Sequence, residues 1–164
     1  MKRVLRLVVS IVVMLGTTFA NAQSFQETSI AFRKFDAKTR AGVTHSKYAE
    51  ALSDIEFATS EYESVAGELN KANAELFRAS LDKYKAAGAA WGLYIEFVVG
   101  NGDTITWRRF FLDKVVPQFC PGAGANILDT LDPCLSKNWV DARELSARVR
   151  EVREPPAREK RPKK

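Results

Sequence analysis

Tyr94-Ile95-Glu96-Phe97-Val98-Val99-Gly100-Asn101-Gly102-Asp103-Thr104-Ile105-Thr106-Trp107 admits two readings, and they belong to different fold classes. Asn-Gly between β-branched and aromatic runs is a strong short-range hairpin signal. The same letters also end one helix near Val99 and start another at an Asp103 or Thr104 cap. The second helix would then carry Trp107, Phe110, Phe111, Leu112 and Val115. The helical reading is preferred because the flanking sequence is helical in period. It predicts an all-α antiparallel bundle of four to five helices with one disulfide-closed loop. The alternative is an α+β fold with a small hairpin near 94–107.

Upstream, Phe77, Leu81, Tyr84, Gly88, Trp91 and Ile95 recur at steps of four and three, the mark of one helix face. Ala72, Leu76, Ala79, Ala87 and Ala90 widen that face, and Asn70 can cap the helix. Small residues from Ala86 to Ala90 would let a neighbouring helix approach closely. Gly88 and Gly92 each cost a helix about 1 kcal/mol relative to alanine, so they imply tight packing, a bend or an early end.

Before this helix, Tyr48, Leu52, Ile55, Ala58, Tyr62 and Val65 make a second stripe. Thr44 or Ser46 can cap it and Gly67 closes it. Residues 23–40 make a first helix, with Gly42 placed to stop it as a C′ glycine. Downstream, Pro117 is expected to end the helix carrying Trp107. A last helix is expected to start at Ser136 or Asn138 and to bury Trp139, Ala142, Leu145, Val149 and Val152.

The ends of the chain carry different information. Lys2, Arg3 and Arg6 precede a short apolar run from Val8 to Leu15, and Ala20-Asn21-Ala22 is a small-residue cleavage site. That is the layout of a secretory signal peptide over residues 1–22. The run is shorter than the roughly 20 residues of a membrane span, and no cysteine offers a lipid anchor at the cleavage site. A helical domain over 23–153 and a basic disordered tail over 154–164 complete the organisation. About 142 residues remain after cleavage, enough to bury about two-thirds of the unfolded surface.

The formal charge of +5 is unevenly spread. The leader holds +3 of it and residues 150–164 hold +4, which leaves the body at −2. A mildly acidic body offers no electrostatic footprint for nucleic acid. Arg158, Lys160, Arg161, Lys163 and Lys164 form a polybasic end suited to an anionic envelope surface or an acidic partner. In an oxidising compartment, Cys120 and Cys134 are most simply a disulfide around a Pro- and Gly-containing loop.

Chemical motifs are sparse. His45 is the only histidine and suits an exposed or capping role better than a metal site or a triad. Ser80-Leu81-Asp82-Lys83 matches S-x-x-K, but its companion motifs are absent, and Ser80 and Lys83 more simply share a solvated face. Glu50, Asp54, Glu61 and Glu63 read as an acidic outer face. Trp107, Arg108, Arg109, Phe110 and Phe111 mix cations with aromatics, which fits either a binding surface or a buried stripe.

The stretch from Phe32 to Trp91 contains Thr39-x-x-Gly42-Val43, then Tyr48 and Leu52, then the alanine-flanked Tyr84 and Trp91. Trp139, Ala142 and Leu145 follow in the closing helix. This pattern resembles uncharacterised secreted or lipid-anchored bacterial helical-domain proteins. The resemblance covers most of the mature chain and implies an envelope or secreted helical domain. It brings no activity and no catalytic residues.

Together these features lead to an expectation of a non-enzymatic periplasmic or secreted binding protein, working through an apolar helical surface and the polybasic tail. Its expected partner is an envelope protein or an anionic envelope surface, with no cofactor and no transmembrane anchor after cleavage. A cell-envelope hydrolase and a small apolar-ligand carrier are the alternatives.

Overall fold

The computed structural model describes residues 23–100, 103–121 and 131–149. The signal-peptide assignment over 1–22, the basic tail over 154–164 and most of the disulfide-closed loop lie outside these residues. What is described is an all-α bundle. Helix α1 spans 23–41, α2 spans His45–Val65 and α3 spans Lys71–Val99. Helix α4 (Thr104–Phe110) continues through a π-turn (Phe111–Val115) into the short α5 (Val116–Phe119), and α6 (Leu131–Ala147) closes the chain.

Gly42 ends α1 with φ +83°, a left-handed conformation that favours glycine. Thr44 then caps α2, its hydroxyl accepting from the Lys47 amide at 3.4 Å. Asn70 occupies the cap position of α3, but its side chain makes no capping bond. A 3₁₀ turn at Glu68–Asn70 leads into that helix instead.

The 94–107 stretch is helical up to Val99 and again from Thr104, and packing shows why the hairpin loses. Tyr94 and Phe97 both lie 5.2 Å from the Trp107 ring. Residues three apart share a helix face, whereas on a strand they would point to opposite faces. The Gly100 amide still donates to the Glu96 carbonyl at 2.9 Å, and Asp103 caps α4 through the Ile105 and Thr106 amides.

Two other expectations are corrected. Pro117 does not end its helix. A π-turn precedes it, with the Val116 amide donating to the Phe111 carbonyl, and the helix runs on past the proline where the π register returns to α. Helix α6 begins at Leu131, well before Ser136 or Asn138. Pro133 is tolerated in its first turn, and Asp132 favours the positive helix end.

Helix α3 is the spine. Its first half packs with α1, α2 and the end of α6 around Phe35, Tyr48, Tyr62, Phe77, Leu81 and Tyr84. Its second half packs with α4, the π-turn and the start of α6 around Ala87, Ala90, Trp107, Phe111, Val115 and Leu135. Trp91 and Trp139 touch both clusters and join them. Each large side chain so buried contributes about 1.5–3 kcal/mol.

The glycines of α3 serve close packing. A Cβ on Gly88 would lie 3.0 Å from the Tyr48 ring, and one on Gly92 would lie 3.5 Å from His45 Nε2. The Cys120–Cys134 disulfide, with Cα atoms 5.6 Å apart, ties the end of α5 to the first turn of α6. Among the described residues, no helix is long and apolar enough to cross a membrane.

Candidate functional site

Among the described residues, the end of α3 and the start of α4 pack in a cluster that holds no residue of α1 or α2. Four apolar side chains reach solvent there: Tyr94 (36% exposed), Val98 (51%), Val99 (75%) and Ile105 (78%). They stand on a rigid base. Trp107 is buried, with Tyr94, Phe97, Phe110 and Phe111 rings at 5.2–5.9 Å. Asp103 holds the start of α4, and its carboxyl is held below the usual range by the Thr106 hydroxyl first and then by backbone amides.

The predicted surface of Trp107, Arg108, Arg109, Phe110 and Phe111 is therefore divided. Trp107 and Phe111 are in the core, Phe110 is half-buried, and Arg108 and Arg109 are exposed. The apolar side chains that do reach solvent are their neighbours at 94, 98, 99 and 105. In the sequence, Tyr94, Val98, Val99 and Ile105 belong to the hairpin-like run and to no helix stripe.

Where the two half-cores meet, polar groups are satisfied internally. The Tyr48 hydroxyl donates to the Tyr84 carbonyl at 2.8 Å and accepts from Trp139 Nε1 at 3.2 Å. Burial pushes the Tyr48 phenol well above its ordinary range, and pushes the Tyr84 phenol up to about 12. Both remain protonated at physiological pH. His45 is half-buried, with Nε2 3.3 Å from the Gly88 carbonyl and its ring edge-on to Trp91, so it packs rather than caps.

Ser80 corrects both readings made of it. It lies fully buried between α3 and α6, not on a solvated face. Its hydroxyl donates to the Ala142 carbonyl at 2.7 Å, while Lys83 pairs with Asp141 at 3.7 Å. The S-x-x-K motif is a helix-packing contact.

Asn138, expected at a helix start, is buried in mid-α6. Its amide donates to the Phe119 carbonyl at 2.8 Å and the Cys134 carbonyl at 3.2 Å, and lies 3.8 Å from Cys120 Sγ. It fastens the backbone around the disulfide.

The acidic residues of α2 separate. Glu50 and Asp54 are exposed, and Glu63 is paired with Arg78 of α3. Glu61 faces Glu27 of α1 across a groove of about 450 Å³, also lined by Phe57, Ala58 and Val65. Thr28 stitches its floor, donating to the Ser24 and Ala58 carbonyls at 2.8 and 3.0 Å. Phe57 is 69% exposed. Its signal in the sequence was an aromatic standing off the helix stripe.

Among the described residues, no group of three His, Cys, Asp or Glu side chains could hold a metal ion. Comparison with protein-family models, curated proteins and solved structures finds no match for this chain.

Proposed function

We propose that the mature chain is a non-enzymatic binding module of the periplasm or secreted space, which meets an envelope component through the α3–α4 tip. The observation that carries this reading is the exposure of Val98, Val99 and Ile105 at the junction of α3 with α4, where four of the large apolar side chains that reach solvent lie, Tyr94 being the fourth. Exposed apolar side chains grouped on a stiff support mark interaction surfaces more often than chance exposure does. Trp107 and its ring neighbours supply that support, and Arg108 and Arg109 add the cationic rim favoured at interfaces. The disulfide and the leader-like first 22 residues support an oxidising compartment.

The test is native mass spectrometry of the mature protein drawn gently from its host's envelope fraction, beside a Val99→Ser/Ile105→Ser variant. Both positions are more than 70% exposed, so the fold tolerates the change. A co-purifying envelope component that the variant loses supports the proposal. A component retained equally by both proteins, or a bare monomer from both, refutes the tip as the contact.

A further inference from the structure

The opposite end of the bundle presents a second surface, and the chain carries a segment of matching chemistry that departs from that end. Phe25 of α1 lies 5.9 Å from Tyr62 of α2 and 6.1 Å from Phe77 of α3, so the start of α1, the end of α2 and the start of α3 lie together. Val149, just past α6, packs against the same cluster. The groove of Glu27, Phe57, Ala58, Glu61 and Val65 opens beside this end.

Two features define what the groove can hold. Its apolar wall contains an aromatic ring that is 69% exposed, and carboxylates stand on both helices that form it. Glu68 and Glu75 are exposed near the same end, against exposed Lys71 and Arg148. Such a surface repels an anionic bilayer and attracts a cationic segment with apolar content.

Residues 150–164 are that segment. Pro155-Pro156-Ala157 lies between Arg153-Glu154 and Arg158-Glu159, with Lys160 and Arg161 close behind, and the segment keeps a net charge of +4. Consecutive prolines favour an extended helix that packs on exposed aromatic side chains at little ordering cost. The reach is sufficient. Six residues from Val149 to Pro155 span about 20 Å when extended, and packed helix axes lie only about 8–10 Å apart.

We propose that the tail docks in cis on the α1–α2 groove, with Pro155 and Pro156 against Phe57 and with Arg158 and Lys160 facing Glu27 and Glu61. The docked tail is a cationic strap that an external acidic surface must compete for. The proposal concerns the tail alone and does not rest on the tip.

Zero-length carbodiimide coupling of the full mature chain, disulfide intact, tests it. An equal mixture of ¹⁵N-labelled and unlabelled protein is coupled, digested and read by mass spectrometry. Lys160 is expected to join Glu27 or Glu61 within single chains. Phe57→Ser is expected to lower the yield about three- to ten-fold, and Glu27→Gln to lower the remaining link to Glu61 similarly. Glu50→Gln, at an exposed carboxylate of α2 outside the groove, leaves the yield unchanged. Links of mixed isotope place a second copy's tail in the groove and overturn the proposal. So does the absence of links to Glu27 and Glu61, or a yield indifferent to Phe57→Ser.

Discussion

Gly88 and Gly92 sit one turn apart on α3, and replacing each by alanine should shift stability in opposite directions. Either substitution improves intrinsic helix propensity by about 1 kcal/mol. At Gly92 nothing opposes that gain, because the new Cβ would meet His45 Nε2 at 3.5 Å, an ordinary contact distance. At Gly88 the new Cβ would lie 3.0 Å from the Tyr48 ring, against the roughly 3.5–4.0 Å that two carbons prefer. The ring has little room to yield. Tyr48 is 1% exposed, its hydroxyl is held by Tyr84 and Trp139, and its faces meet Phe35 and Trp91 at 5.1 and 5.7 Å. Overpacking of this kind costs about 1–3 kcal/mol. Gly88→Ala should therefore lose about 1 kcal/mol net, and Gly92→Ala should gain up to about 1 kcal/mol. Urea unfolding followed by tryptophan fluorescence resolves the difference, since about 2 kcal/mol moves the midpoint by about 1 M. A Gly88→Ala protein as stable as Gly92→Ala, or more so, would refute the close α2–α3 approach.

Removing the disulfide by Cys120→Ser/Cys134→Ser should cost about 3 kcal/mol in the chain-entropy account, read as a lowered denaturation midpoint. Asp36 is partly buried, which raises its pKa, but hydrogen bonds from Arg40 at 2.6 Å and Arg143 at 2.7 Å outweigh this and hold the carboxyl below its usual range. A lowered folded pKa means the stabilisation is complete above about pH 4 and is lost as pH falls through the folded value. Asp36→Asn should therefore flatten the acid limb of the stability–pH curve, at a cost of about 1 kcal/mol at neutral pH. The Tyr48, Tyr62 and Tyr84 phenols are shifted upward by burial, so their contribution is complete below about pH 10 and is lost as pH rises further. Spectrophotometric titration should show these phenols ionising only as the protein unfolds. Ser80→Ala should cost about 1 kcal/mol for the lost bond to Ala142, with binding at the tip unaffected, as measured by thermal unfolding beside the co-purification assay.

Local signals with a single physical meaning were legible in the sequence. Gly42 in a left-handed conformation, Thr44 as a cap, the stripe of α3 and the Cys120–Cys134 pair all follow from short-range geometry. Features decided by distant partners were not. Nothing local says that Ser80 faces Ala142 or that Asn138 serves the Phe119 carbonyl 19 residues away. Pro117 reads as a stop because proline usually is one, yet the helix passes it by way of a π-turn. The exposed tip residues look like a strand in sequence because Val98, Val99 and Ile105 are β-branched and are not needed by the core. That mismatch between apolar chemistry and absent burial is what the candidate site consists of.

The two halves of α3 are stabilised differently, and this accounts for the position of the cross-link. Around its first half, α1, α2 and the end of α6 bring large rings, with Phe32, Phe35, Tyr48, Tyr62, Phe77 and Tyr84 all nearly inaccessible. Salt bridges tie this half laterally, from Arg143 to Asp36, Arg78 to Glu63 and Lys85 to Glu56. The second half presents only Ala87 and Ala90 from α3 to its deepest contacts, and the chain covering it is interrupted by a π-turn and a proline. Small side chains release less free energy on burial, because they remove less apolar area from water. The disulfide and the Asn138 bonds lie in this half, at the junction of α5 with α6. They offset the thinner packing and hold the frame on which Trp107 stands. A disulfide persists only where the surroundings are oxidising, so the covalent support of this half of the bundle and the redox conditions that sustain it are one physical requirement.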